Sequence, residues 1–98
     1  MWYVIIGRDI PGSGSIRRAQ RPAHLERLRA LQHEGRLLTA GPHPAVDSPE
    51  PGPAGFLGST VIAEFPSQAE ASAWAAHDPY RLHGVWADVE VLPFLRVF

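Results

Sequence analysis

Trp2-Tyr3-Val4-Ile5-Ile6 opens the chain as five consecutive residues of high strand propensity, closed by Gly7. The run is too short for a helix and apolar at every position, which reads as a strand needing cover on both faces. Everything else in the chain can be arranged around that requirement. At 98 residues, 45% of them hydrophobic and 19% charged, the composition is that of one globular domain spanning residues 1–98, with a single small core.

After a Pro- and Gly-bearing loop over 10–15, helical spacing takes hold from Ile16 to Gly35. Proline is tolerated in a first helical turn, so the regular helix is expected to begin near Arg21 or Pro22, with Gly35 as its stop. His24, Leu28 and Leu31 fall on one stripe with Leu25 and Gln32 beside it, while Glu26, Arg27, Arg29 and Glu34 mostly face out. Leu37-Leu38-Thr39-Ala40 reads as a second strand ended by Gly41-Pro42. A loop over 43–55 follows, and Pro42, Pro44, Pro49, Pro51 and Pro53 cluster in and around it. A connection of that length is usually functional or disordered, and its proline content favours a stiff cover over the site.

Ser59 to Phe65 is the third strand. Ser67 and Glu70 form a capping-box signature that opens a second helix from Gln68 to about His77. Ala71, Trp74, Ala75 and Asp78 share a face, and Pro79 prevents simple continuation, leaving Asp78 at a helix C-terminus. Val85 to Val91 alternates as a fourth strand with an apolar tail to Phe98. The order βαββαβ predicts an α+β, ferredoxin-like sandwich with a four-stranded antiparallel sheet. Helices cover only one face of such a sheet, so the apolar first strand predicts a homodimer through the open face. Covering several hundred Å² there is worth on the order of 10 kcal/mol before association costs.

The nine basic residues are all arginine and the ten acidic ones leave a net charge of -1, which argues against nucleic acid or an anionic membrane as partner. There is no cysteine, hence no disulfide and no thiolate metal ligand. No basic leader with a cleavage site precedes the first strand, and no apolar run approaches the roughly 20 residues of a membrane helix. The expectation is a soluble cytoplasmic protein.

His24 and Asp78 both face inward from the two helices, and an imidazole meeting a buried carboxylate is a proton-transfer unit. Asp78 would fix the tautomer and favour the protonated ring, freeing the other nitrogen for a substrate. Each residue also has a plain structural role available: a core histidine satisfied by backbone, and an aspartate making a turn before proline. His33, His43, His77 and His83 show no helical metal-ligand spacing, so no metal is expected. Ser59 and Thr60 lack a nucleophile elbow and read as strand residues. The glycines at 41, 52, 55 and 58 build no phosphate-cradling loop, and no cofactor motif is present. Tyr3, Arg8, Gly41 and Ser59 are candidate substrate contacts on strand geometry.

Arg21-Pro22-Ala23-His24-Leu25, Glu34 through Pro42, Gly58 through Phe65, Trp74-Ala75 and Asp78-Pro79-Tyr80 together resemble the YciI-like (YCII-related) family, in the same order from Met1 to Phe98. The resemblance implies a ferredoxin-like fold that dimerises by packing sheets, in the dimeric α/β barrel superfamily, and a site centred on His24 and Asp78. A member described as a dehydrochlorinase of a chlorinated hydroxyhydroquinone suggests elimination or isomerisation on small cyclic or enolisable molecules. The alternatives left open are a module that binds a small metabolite, or serves an accessory or regulatory role, without catalysis, and a purely structural dimer.

Overall fold

The computed structural model describes residues 1–98, and its first strand, β1, runs Trp2–Asp9 at the centre of the sheet. Tyr3 and Ile5 are buried beneath the helices, whereas Trp2, Val4 and Ile6 on the opposite pleat are only half-buried. Helix α1 (Gly14–His33), strands β2 (Leu37–Pro44) and β3 (Phe56–Glu64), helix α2 (Gln68–Ala76), the one-turn helix α3 (Pro79–Leu82) and strand β4 (Trp86–Phe94) follow. The order across the sheet is β2-β3-β1-β4, antiparallel at every pairing. This is the ferredoxin-like arrangement expected from the element order.

Register explains where the core lies. Tyr3 pairs with Ala63 and Ile5 with Val61, so these four residues point together towards the helices, where Leu31, Ala71 and Ala75 meet them. A second, smaller cluster of Tyr80, Val85 and Trp86 sits at the other end of β1. It owes its position to a register shift after Arg8, where Arg8 pairs with Asp88 but Asp9 pairs with Trp86. The extra residue, Ala87, turns Trp86 inward, as a bulge does. Gly7 makes room for it, since a Cβ there would fall inside the Trp86 indole.

Several boundaries differ from those the sequence suggests. Helix α1 begins at Gly14, about two turns before the expected start, and carries Pro22 in its interior. The proline removes one ladder hydrogen bond, and the first turns persist because Arg17, in that early segment, is buried and bonded to the sheet. Strand β2 passes through Gly41-Pro42 to Pro44 rather than stopping there. It is an edge strand, so a missing proline N–H costs no ladder bond when it faces away from β3. Strand β4 starts one residue later than expected and reaches Phe94. Ser67 caps α2 as anticipated, its hydroxyl accepting from the Glu70 N–H.

Candidate active site

Asp78 follows α2 and its C-cap, His77, and is not merely a terminal residue: it is the N-cap of α3, with Pro79 in the first position. Its backbone is extended, as a residue before proline prefers, and its carboxylate accepts from the Tyr80 N–H at 2.9 Å. The side chain is completely buried. Such a carboxylate needs partners, and α1 provides two. His24 Nδ1 lies 2.9 Å from both carboxylate oxygens, and Arg27 donates at 3.2 Å. Arg27, expected to face out, instead lies along the Trp74 ring at 4.3 Å and reaches the buried anion. Burial pushes the Arg27 guanidinium below its ordinary value, and Asp78 pushes it back up.

A carboxylate is acceptor-only, so Nδ1 must be the donor and carries the ring proton. Nε2 has no protein partner and is the nitrogen left for a ligand. Tyr80 stacks on the imidazole at 4.1 Å with planes 14° apart, and Trp86 meets it edge-on at 5.8 Å. One aromatic face and one aromatic edge therefore hold the ring that Asp78 orients.

His24 borders a cavity of about 150 Å³ between α1 and the β2-β3 edge, walled also by Arg17, Arg21, Leu28, Gly41, Ser59 and Tyr80. Two residues expected as substrate contacts, Gly41 and Ser59, are thus on this wall. Ser59 is buried, and its hydroxyl accepts from Arg17 at 2.7 Å. The other two expected contacts lie elsewhere. Tyr3 is in the main core against Phe65, and Arg8 projects with Val4 and Ile6 from the open sheet face, pairing with Asp88 and Glu90. The alternation of β1 separates Arg8 from the helix side. The proline-rich segment does not cover the site: of residues 43–55, none borders this cavity, and Gly52 to Gly55 instead wall a neighbouring cleft of about 510 Å³ beside the start of α1. His43 bonds the Thr60 hydroxyl at 2.6 Å, while His33, His77 and His83 are exposed on the helices and the turn after α3.

Arg17 is the residue sequence reasoning missed. Its guanidinium bonds Asp9 at 2.9 Å, the Gly58 carbonyl at 3.0 Å and Ser59, and lies 4.8 Å from the centre of the Tyr80 ring. It sits seven residues before His24, on the same helical stripe. That spacing was a usable signal only with the helix continued back through Pro22.

Fold and site together define a small ferredoxin-like α+β protein with a histidine–aspartate pair facing a ring-sized cavity. A profile of the YCII-related domain matches residues 1–95, and the chain belongs to that family. It is 59% identical over 98 residues to Protein YciI of Escherichia coli O6:H1, and 56% identical over 98 residues to an uncharacterized protein of Haemophilus influenzae, covering all of both chains in each case. Among solved structures it is similar to TftG, a 5-chloro-2-hydroxyhydroquinone dehydrochlorinase from Burkholderia phenoliruptrix AC1100 in complex with 2,5-dihydroxybenzoquinone. That likeness has a TM-score of 0.83 and 26% identity, and covers 97% of this chain and 94% of TftG. An antibiotic biosynthesis monooxygenase shares the fold at TM-score 0.51 and 21% identity, covering 99% of each chain. No helix is long and apolar enough to cross a membrane.

Proposed function

We propose that the protein is a cofactor-independent enzyme that moves a proton on a small cyclic or enolisable molecule, as a lyase or isomerase does. The observation that carries this is the orientation of His24: Nδ1 is committed to both oxygens of a fully buried Asp78, and Nε2 is left free at a cavity wall. In the proposed step Nε2 takes a proton from a substrate carbon or hydroxyl. The electron pair released stays on the substrate as an enolate or phenolate, and Asp78 stabilises the imidazolium that forms. Collapse of the enolate either expels a leaving group, an elimination, or takes the proton back at a different atom, an isomerisation. A base so placed contributes about 10² to 10⁴-fold, and confinement supplies the rest. The similarity to TftG supports ring compounds of the hydroxyquinone kind as substrates.

The working unit in this proposal is a homodimer. Trp2, Val4, Ile6, Ile62, Leu92 and Phe94 leave an apolar strip along the open sheet face, and a second copy presenting the same strip would remove it from water.

The test is deuterium incorporation into 2,5-dihydroxybenzoquinone and simple cyclic ketones in heavy water, followed by proton NMR. The wild type should accelerate exchange at the acidic carbon, and His24→Gln, with an unchanged circular dichroism spectrum, should lose the acceleration. Equal exchange by the two proteins would overturn the proposal. Binding of the quinone without exchange by either would mark a binding module.

A further inference from the structure

The charges around the cavity do not cancel. Arg17 is neutralised by Asp9 at 2.9 Å, and its Nη2 donates to Ser59 and the Gly58 carbonyl. Arg27 is neutralised by Asp78, the same carboxylate that holds the His24 ring. Arg21 is different. It lies one helical turn after Arg17 and just under one before His24, on the cavity wall, and no carboxylate or carbonyl of the chain bonds its guanidinium. With His24 neutral, one guanidinium at the solvent-exposed rim of the cavity is therefore without a counter-ion, and protonation of His24 adds a second positive charge.

A donor is also left unused beside that charge. Tyr80 is 1% exposed and borders the cavity, yet its hydroxyl bonds nothing in the chain; the one hydrogen bond its own N–H makes to a side chain goes to Asp78. The hydroxyl is not sealed in the core, where the one buried side-chain donor without a partner is Trp86 Nε1, so it is open to an acceptor that enters the cavity. Burial pushes the Tyr80 phenol above its ordinary value of 10.0, while Arg17 and Arg21 pull it down, so the hydroxyl keeps its proton at neutral pH and remains a donor. Tyr80 and His24, stacked at 4.1 Å, border the same cavity, so both are within reach of a molecule bound there.

From this charge balance and the unused donor we infer that the cavity is an oxyanion site: Tyr80 donates to, and Arg21 neutralises, a ligand oxygen carrying negative charge. The ligand class is a phenol or enol of a single ring bound in its ionised form. A cavity of about 150 Å³ is the size that holds one six-membered ring. The inference rests on the proton-transfer reading for its chemical purpose, since the anion held is the one that removal of a substrate proton creates. Its binding consequence, however, is independent of His24.

The probe is 4-nitrophenolate, whose absorbance reports binding and which offers His24 no acidic carbon, with neutral nitrobenzene as the uncharged counterpart. Titrations of the purified protein should show the phenolate bound at least tenfold more tightly than nitrobenzene. Arg21→Gln and Tyr80→Phe should each weaken phenolate binding about tenfold or more, the loss of one charge-assisted hydrogen bond, and leave nitrobenzene affinity within about twofold. Arg21 is exposed, so its replacement leaves the fold intact. Equal affinity for the two probes, no phenolate binding by the wild type, or an Arg21→Gln protein that binds phenolate like the wild type would each overturn the inference. Proton exchange that depends on His24 alongside any of these results would leave the proton-transfer reading standing, and phenolate binding without exchange would do the reverse.

Discussion

Replacing Asp78 by Asn keeps the shape of a side chain that the structure leaves no room to vary, and changes only charge and donor pattern. In the wild type both carboxylate oxygens accept from His24 Nδ1 at 2.9 Å, one also from the Tyr80 N–H at 2.9 Å and the other from Arg27 at 3.2 Å. The opposite tautomer would set the Nδ1 lone pair against an anion. Losing one charge-assisted hydrogen bond amounts to about 1.5–3 kcal/mol, so well over nine-tenths of neutral His24 should carry its proton on Nδ1. With Asn at 78, the carbonyl keeps the Tyr80 cap, while the amide NH₂ faces Arg27 as a second donor. Nδ1 is then equally near an acceptor and a donor, and the tautomer preference should collapse towards an even mixture. The lost Arg27 bond should destabilise the fold by about 2 kcal/mol, and at about 4–8 °C per kcal/mol for a domain of this size the Tm should fall by about 8–16 °C. Nitrogen-15 NMR of the five imidazoles at about pH 8.5, well above the ordinary histidine range, reads the tautomers directly, and a calorimetric melt reads the Tm. A mixed tautomer in the wild type, or an unchanged Nδ1–H preference in the variant, would refute the claim that this carboxylate orients the ring.

Four further outcomes follow from the geometry. The Tyr80 phenol is raised chiefly by desolvation, so its contribution to stability is whole below about pH 10.0 and is lost as pH climbs through the higher folded-state value; denaturant melts in alkaline buffer should show a decline that Tyr80→Phe removes. Gly7→Ala should cost about 3 kcal/mol by forcing Trp86 from its seat, visible as a lowered denaturation midpoint with altered tryptophan fluorescence. Ser67→Ala should lose about 1 kcal/mol through the missing cap on α2, measured by urea unfolding. If the open face pairs with a second copy, Val4→Arg should sediment at half the wild-type mass, and an unaltered mass would sink the dimer.

How much of this could be read from residues alone depends on the range of the interaction. Alternation and helical spacing are local, so the strand-helix order and the inward positions of His24, Leu31, Ala71 and Ala75 were legible, and with them the approach of His24 to Asp78. The start of α1 was not. Pro22 is a strong local stop signal, and what overrides it is Arg17 reaching Ser59 forty-two residues away. Asp78 looked terminal for a similar reason: Pro79 ends one helix and begins another, and only the Tyr80 N–H shows which. Tyr3 and Arg8 were placed near the site by their strand but separated from it by the length and pleat of β1. Trp86 turned inward through a bulge that alternation alone cannot foresee.

The capping role of Asp78 bears on motion as well as on orientation. The carboxylate grips the imidazole edge, and two residues later in the same turn the phenol ring of Tyr80 lies against its face, so the residues Asp78-Pro79-Tyr80 form a short jaw closed on His24. Pro79 stiffens the hinge of that jaw by fixing its own φ and restricting that of Asp78. Swivelling of the histidine about its Cβ–Cγ bond therefore has to wait for the whole turn to spring open. The rate at which that ring reorients should follow the local opening of the four-residue α3 turn.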